Sequence, residues 1–290
     1  MNDYIVKALA FNKHVRIYAS SCADTTNYIG DRLNYFPSAL DAIGRVLSIS
    51  VMMGSMLKLE ETLTLRIEGD GQIGRIISDV DAHGHVRAYA ENPHCHFEYN
   101  DGRLNCRDTV GRSGIIYVIK DLKLKEPFIG STEIIDGELA RDFAYYFANS
   151  EQVPSIVALG VNVNTDTVAT SCGGYIIQLL PNTPDEIIDE IEKRIDLLPP
   201  VSEMLESGLT LEEIIKNIDS EAEILETIPV EFRCNCSKER FASGIMSLGK
   251  AEIAEMIEED GHAETVCHFC GNKFYFDKDE LEILKDKAKR

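Results

Sequence analysis

The chain has 290 residues, is 44% hydrophobic and carries a formal net charge of −20. This length allows two or three domains, and the apolar fraction is that of an ordinary globular core. No apolar run approaches the roughly 18 residues that a membrane-spanning helix requires, so no membrane partner is expected. Residues 182–290 contain 27 acidic and 13 basic side chains. A segment with this excess of negative charge repels the phosphate backbone of nucleic acids. Binding of nucleic acid is therefore not expected either.

The sequence predicts an α+β protein whose first part, residues 1–181, is a mixed α/β domain with an antiparallel sheet. Leu63, Leu65 and Ile67 alternate with polar residues, which is typical of a half-buried strand. Gly44 and Gly54 in the first helix indicate close packing against a neighbouring backbone. The predicted elements, in chain order, are a strand over 3–20, a break at 27–30, a helix over 37–57, strands over 63–68, 72–80, 85–90 and 114–120, a helix over 139–148, and strands over 155–162 and 173–180.

No catalytic constellation is recognised in this domain. The glycines of Gly111–Gly114 are not followed by the Lys-Ser/Thr pair of a phosphate-binding loop. His94 and Cys95 would point to opposite faces of a strand, so His94-Cys95-His96 does not predict a metal site. The remaining cysteines of the domain are expected to be buried and unpaired. They are Cys22, Cys95, Cys106 and Cys172.

Residues 182–229 predict a helical linker made of short amphipathic helices with acidic outer faces. Thr183 with Glu186, and Thr210 with Glu213, have the spacing of N-terminal capping boxes. Helices of this length are marginal in isolation and need a surface on which to pack. Two interpretations remain open, namely a plain linker and a docked segment that can detach.

Residues 230–290 contain four cysteines in two close pairs. The first pair is Cys234-Asn235-Cys236, and the second is the C-x-x-C motif of Cys267 and Cys270, thirty residues further on. Four thiolates complete the tetrahedron of a closed structural zinc site. We therefore predict a zinc-binding domain that holds one Zn²⁺ per chain through these four cysteines and not through His262 or His268.

Two alternatives to a zinc site have less support. Structural disulfides require an oxidising compartment, but the start MNDYIVKALAF has neither the basic region nor the apolar run of a signal peptide. A reducing cytosol is therefore expected. A thioredoxin-like pair requires its first cysteine at a helix N-terminus, whereas Gly271 and Asn272 after Cys270 predict a turn into a strand.

These motifs resemble those of the thirty-three-kilodalton chaperonin family, also called heat shock protein thirty-three. The C-x-C and C-x-x-C pairs with their spacing are the signature of that family. The resemblance continues in the first domain, at Gly54–Lys58, Ser150–Ser155 and Gly173–Tyr175, and covers essentially the whole chain.

The resemblance implies a redox-regulated holdase chaperone of the bacterial cytoplasm, which is not an enzyme. In such a protein the reduced, zinc-bound form is inactive. Oxidation to the disulfides Cys234–Cys236 and Cys267–Cys270 releases zinc and exposes apolar surface that binds unfolded client proteins, with a homodimer as the active form. The short loops between the paired cysteines also favour these disulfides. A thiol oxidoreductase using Cys267 and Cys270 and a zinc-dependent adaptor in transcription or translation remain as alternatives.

Overall fold

The structure, a computed structural model, describes residues 3–288. It divides into two compact units, of which the first ends at Arg233 and the second begins at Cys234. The α+β class with antiparallel sheets is confirmed. Residues 182–229 fold as part of the first unit, and the division of the chain into three functional parts stays a prediction.

Within residues 3–288 the chain forms thirteen strands and ten helices. The strands are β1 (Tyr4–Ala10), β2 (Val15–Ser21), β3 (Thr62–Gly69), β4 (Arg75–Asp81), β5 (His85–Ala90), β6 (Gly114–Asp121), β7 (Phe128–Glu133), β8 (Ser155–Val163), β9 (Ala169–Leu179), β10 (Glu223–Pro229), β11 (Glu231–Phe232), β12 (Ala263–Val266) and β13 (Lys273–Phe276). The helices are α1 (Ala23–Leu33), α2 (Pro37–Gly54), α3 (Cys106–Val110), α4 (Ala140–Asn149), α5 (Asp185–Ile195), α6 (Val201–Glu206), α7 (Leu211–Ile218), α8 (Lys238–Leu248), α9 (Lys250–Glu259) and α10 (Lys278–Lys287).

The first unit contains two sheets. One has the strand order β10-β1-β2-β9-β8 and is antiparallel throughout. The other has the order β11-β5-β4-β3-β6-β7 and is antiparallel except for the β11–β5 pair. Strands β3, β4 and β5 pair in chain order as an antiparallel meander, at the positions predicted for strands over 63–68, 72–80 and 85–90.

Helix α2 packs against strands of both sheets and is buried along nearly its whole length. A Cβ on Gly54 would lie 2.6 Å from Val80 Cγ2 and 3.0 Å from the carbonyl oxygen of Asp81, so only glycine allows this approach. Met52 and Met53 are buried in the same core.

Several predicted elements of the first unit were wrong. The predicted strand over 3–20 is the β1–β2 hairpin, and the predicted break at 27–30 lies inside α1. Helix α2 ends at Gly54, three residues earlier than predicted.

Thr183 is not an N-cap, because α5 begins after Pro184 and the Thr183 hydroxyl donates to the carbonyl oxygens of His14 and Leu180 instead. The capping box of Thr210 and Glu213 is confirmed. The strands β7, β10 and β11 and the helix α3 were not predicted.

The second unit packs α8, α9 and α10 with the β12–β13 hairpin around a small apolar core. Ile253, Phe276 and Leu281 are its most buried members. Gly249 separates α8 from α9. The final helix was predicted to reach Lys289 and Arg290, which lie outside the described residues.

Candidate metal centre

The four predicted cysteines come from two irregular stretches of the second unit. Cys234 and Cys236 lie just before α8, whose N-cap Ser237 accepts a hydrogen bond from the backbone N–H of Arg240. Cys267 and Cys270 lie in the turn that joins β12 to β13.

The turn between β12 and β13 is a tight knuckle. The backbone N–H of Gly271 donates to the carbonyl oxygen of Cys267 at 2.8 Å, and the N–H of Cys267 donates to the carbonyl oxygen of Asn272 at 2.9 Å. Gly271 has φ +69°, a conformation that glycine adopts without steric cost. The thiols of Cys267 and Cys270 therefore project from one compact turn.

The four sulfur atoms converge on one point. The distance between the Sγ atoms of Cys234 and Cys267 is 3.7 Å, and that between Cys236 and Cys270 is 3.4 Å. The ligand atoms of all four cysteines lie within 4.8 Å of one another. A tetrahedron with Zn–S bonds of about 2.3 Å has edges of roughly 3.8 Å. The cluster therefore fits a tetrahedral metal ion, and four cysteines so close together could hold one.

The electrostatics of the cluster also favour a bound cation. Burial opposes ionisation of Cys234, but hydrogen bonds from the Cys236 backbone N–H and from the neighbouring thiols bring its pKa below the usual value. Burial raises the pKa of Cys236 and of Cys270, and hydrogen bonds with Cys234 and Cys267 raise both further. The hydrogen bond with Cys270 partly offsets this increase in the pKa of Cys236. Several thiolates so close together repel one another, and a divalent cation offsets that repulsion.

His262 of the second unit, and His94 and His96 of the first, have other partners. His262 Nδ1 lies 2.9 Å from the carbonyl oxygen of Asp260, and its ring stacks on Tyr275. His94 and His96, beside Cys95, contact Asn34 and Ser38 respectively. Among residues 3–288, the four cysteines are the only His, Cys, Asp or Glu side chains that converge in a group of three or more.

The cysteines of the first unit are buried free thiols, as predicted. Burial raises the pKa of Cys95 to about 11 and that of Cys172 to about 12. The pKa values of Cys22 and Cys106 are also raised by burial. Because the thiolate is the reactive form, these four side chains are poor targets for oxidants.

A second feature is an apolar face of the five-stranded sheet that α5, α6 and α7 cover. Residues 185–229, which comprise these three helices and the edge strand β10, are here called the docked segment. Side chains of α5, α6 and α7 pack on the face that the five-stranded sheet turns away from α2. The buried members from the docked segment are Ile191, Val201, Met204, Leu211, Ile214, Ile215 and Ile218, and those from the sheet include Val6, Ala8, Val15, Ile17, Ala19, Tyr175 and Ile177. The amphipathic pattern predicted that these helices would dock, but not on which surface.

Polar contacts fix the docked segment on the sheet. The Tyr4 hydroxyl donates to Glu212 Oε2 and accepts from the backbone N–H of Leu211, both at 3.1 Å. Glu206 at the end of α6 accepts hydrogen bonds from Asn162 and Thr170. These hydrogen bonds can form only when α6 and α7 lie at this position on the sheet.

Comparison with known proteins identifies the family. The sequence model described as Hsp33 protein matches residues 3–277. The chain belongs to the Hsp33 family. A 33 kDa chaperonin of Bacillus pumilus is 52% identical, and one of Bacillus subtilis is 51% identical, each covering 99% of this chain and 100% of the relative.

A solved structure supports the same assignment. The crystal structure of the 33 kDa chaperonin, or heat shock protein 33 homolog, of Thermotoga maritima matches with a TM-score of 0.92 and 30% identity, over 99% of each chain. Because the chain belongs to the Hsp33 family, its function is that of a chaperone. In the described part of the chain, none of the helices combines the length and the apolarity that crossing a bilayer would take.

Proposed function

We propose that this protein is a cytoplasmic holdase chaperone whose activity is switched on by oxidation of its cysteine cluster. The observation that carries the proposal is the convergence of four thiols within 4.8 Å in a unit that has only a small core. The chain works by binding and not by catalysis, and its partners are unfolded or partly unfolded proteins. The active form is a homodimer, as the resemblance implies.

The reduced state is held closed by one Zn²⁺ on Cys234, Cys236, Cys267 and Cys270. A unit as small as residues 234–290 usually needs a staple in addition to its core. A zinc ion on four thiolates supplies on the order of 10–16 kcal/mol of apparent folding free energy in small zinc domains. Without that contribution we expect the second unit to unfold.

Oxidation removes the ligands. Cys234 joins Cys236 and Cys267 joins Cys270, and the two thiolates of each new S–S bond give two electrons to one molecule of hydrogen peroxide. The peroxide takes up two protons from the solvent and leaves as two waters, and the zinc ion is released to the solvent. Disulfide sulfurs no longer supply four anionic ligands. The exposure of the thiols supports this site of attack, because Cys234 and Cys236 are partly exposed and the pKa of Cys234 is lowered. The four cysteines of the first unit are all buried and have raised pKa values.

Unfolding of the second unit then destabilises the docked segment. Helices α5, α6 and α7 have 11, 6 and 8 residues, which is shorter than the roughly 12–15 residues at which an isolated helix becomes marginal. They depend on their packing against the sheet. When they detach, the apolar faces of both the helices and the sheet become available to clients. Burial of apolar area is not sequence-specific, so the range of clients is broad.

The proposal is tested by following metal and activity together. Full-length reduced protein is treated with hydrogen peroxide, and zinc content and suppression of aggregation of a chemically unfolded enzyme are measured before and after. We expect about one zinc per chain and no suppression before treatment, and loss of zinc with strong suppression after it. Equal suppression in both states would contradict redox control. Full zinc retention in an active oxidised protein would contradict the role of the four cysteines.

A further inference from the structure

The edge strand β10 is held on β1 mainly through its backbone. Two of its seven side chains pack into apolar clusters, those of Ile224 and Ile228. The other five are exposed, including Leu225. A strand held in this way can be replaced by other strands, because main-chain hydrogen bonds do not depend on sequence.

The pairing of β10 with β1 is also irregular. Lys7 is opposite Glu226 and Ala8 is opposite Ile224, so Leu225 forms a bulge between them. The strand ends in Pro229, which cannot donate a ladder hydrogen bond. Bulges and prolines are typical of edge strands that must not pair too strongly. A regular strand would make a more continuous ladder on the same edge.

Two ion pairs complete the contact. Lys7 Nζ lies 2.9 Å from Glu226 Oε2, and Lys13 Nζ lies 3.2 Å from Glu223 Oε2. Both glutamates are more than half exposed, so each ion pair contributes little to stability. The two lysines nevertheless favour acidic residues, and disfavour basic ones, on a strand that pairs with β1.

From these contacts we propose that β1, once β10 has left it, binds an extended segment of an unfolded client as a new antiparallel edge strand. This inference rests on the proposed function, since it requires detachment of the docked segment. Detachment leaves a row of unpaired N–H and C=O groups on β1, next to the apolar side chains of Val6 and Ala8. The favoured client segment has β-branched or aliphatic residues at the positions of Ile224 and Ile228. It has no basic residue opposite Lys7.

The edge of β1 differs from the other sheet edges in being controlled by the switch. In the described residues, β8 ends the five-stranded sheet and β7 ends the six-stranded sheet, and no strand lies beyond either. Neither edge has a partner strand in the closed form, so no strand leaves β7 or β8 when the docked segment detaches.

The test uses the oxidised full-length protein and synthetic peptides of residues 222–230, AEILETIPV. The unmodified peptide should compete with an unfolded enzyme and reduce suppression of its aggregation. Two further peptides carry a single N-methyl group, one at Glu226 and the other at Thr227. Adjacent N–H groups of a strand point to opposite edges, so only one of the two methyl groups blocks pairing with β1. The two peptides have the same composition and apolarity and serve as matched controls for each other.

We expect the half-inhibitory concentrations of the two methylated peptides to differ by about tenfold, since one loses a ladder hydrogen bond and the other does not. Equal concentrations would overturn the inference, as would a failure of all three peptides to compete while the oxidised protein still holds the unfolded enzyme. An oxidised protein that holds no client would instead overturn the proposed function and the inference with it.

A charge exchange localises the binding to β1. In oxidised Lys7→Glu protein, the AEILETIPV peptide should compete more weakly by roughly two- to fivefold, the range for an exposed ion pair. The peptide with Glu226→Lys should recover that loss on the Lys7→Glu protein and be weaker on the unaltered protein. Identical ranking of the two peptides on both proteins would show that clients do not pair with β1.

Discussion

Asp219 Oδ2 accepts a hydrogen bond of 2.6 Å from the backbone N–H of Phe11, and this bond joins the end of α7 to the turn of the β1–β2 hairpin. Phe11, Asn12 and Lys13 all have positive φ values, of 49°, 54° and 68°, which non-glycine residues rarely adopt. Arg194 of α5 lies over the Phe11 ring and 3.6 Å from Asp219 Oδ1. The docked segment therefore holds an unfavourable turn in place through one buried carboxylate.

Replacing Asp219 with alanine should weaken the closed state. The N–H of Phe11 would remain buried without an acceptor, at a cost of about 1–3 kcal/mol. We expect the reduced, zinc-loaded Asp219→Ala variant to suppress aggregation of an unfolded enzyme several times better than reduced wild type. Glu221→Ala is the control, because that side chain is exposed. A reduced Asp219→Ala variant as inactive as wild type would show that this bond does not keep the segment docked.

The apolar side of α5 provides an independent test. Ile191 is buried at 1% exposure in the apolar cluster that the docked helices form with the sheet, and Glu192 beside it is exposed. Ile191→Glu places a charge in this apolar site at a cost of several kcal/mol, whereas Glu192→Gln changes only the solvent side. Reduced, zinc-loaded Ile191→Glu should suppress client aggregation without oxidant, and Glu192→Gln should not. If the Ile191 variant folds, keeps zinc and stays inactive, detachment of this helix is not the switch.

Metal stoichiometry tests the ligand assignment. His268 lies between Cys267 and Cys270 in the sequence but is not needed to complete a tetrahedron of thiolates. The His268→Ala variant should retain one zinc per chain in atomic absorption measurements. The Cys270→Ser variant should lose most of its zinc and show suppression activity without oxidant. Loss of zinc from His268→Ala would overturn the four-cysteine assignment.

Peptide mapping of the oxidised protein tests the disulfides. We predict bonds between Cys234 and Cys236 and between Cys267 and Cys270. The short Sγ distances in the structure join cysteines of different pairs, Cys234 with Cys267 and Cys236 with Cys270, so the two patterns are directly distinguishable. Only cross-pair bonds, or any bond involving a cysteine of the first unit, would contradict the prediction.

The sequence predicted the cysteine cluster well because its chemistry is local. A C-x-C pair and a C-x-x-C turn each bring their own thiols together, and four cysteines in two such close pairs leave few other arrangements. The knuckle hairpin around Cys267, the buried first-unit cysteines and the packing of Gly54 followed from similarly local signals.

The misassigned elements depend on contacts distant in sequence. Gly30 was interpreted as part of a break, yet it lies in α1 where a Cβ would meet Leu40 Cδ1 at 2.7 Å. The β1–β2 turn was missed because none of Phe11, Asn12 and Lys13 is a glycine, and Asp219 stabilises it from the other end of the first unit. Strand β10 was missed because its acidic residues mask the strand pattern, and pairing with β1 decides its structure.

The most direct test of the account is hydrogen–deuterium exchange of the full-length protein across oxidation. After peroxide treatment and zinc loss, residues 185–229 should lose protection together with residues 234–288, and β2 and β9 should stay protected. Suppression of client aggregation should appear at the same degree of oxidation. Loss of protection confined to residues 234–288 in a fully active protein would contradict the central claim, since the docked segment would then have remained on the sheet.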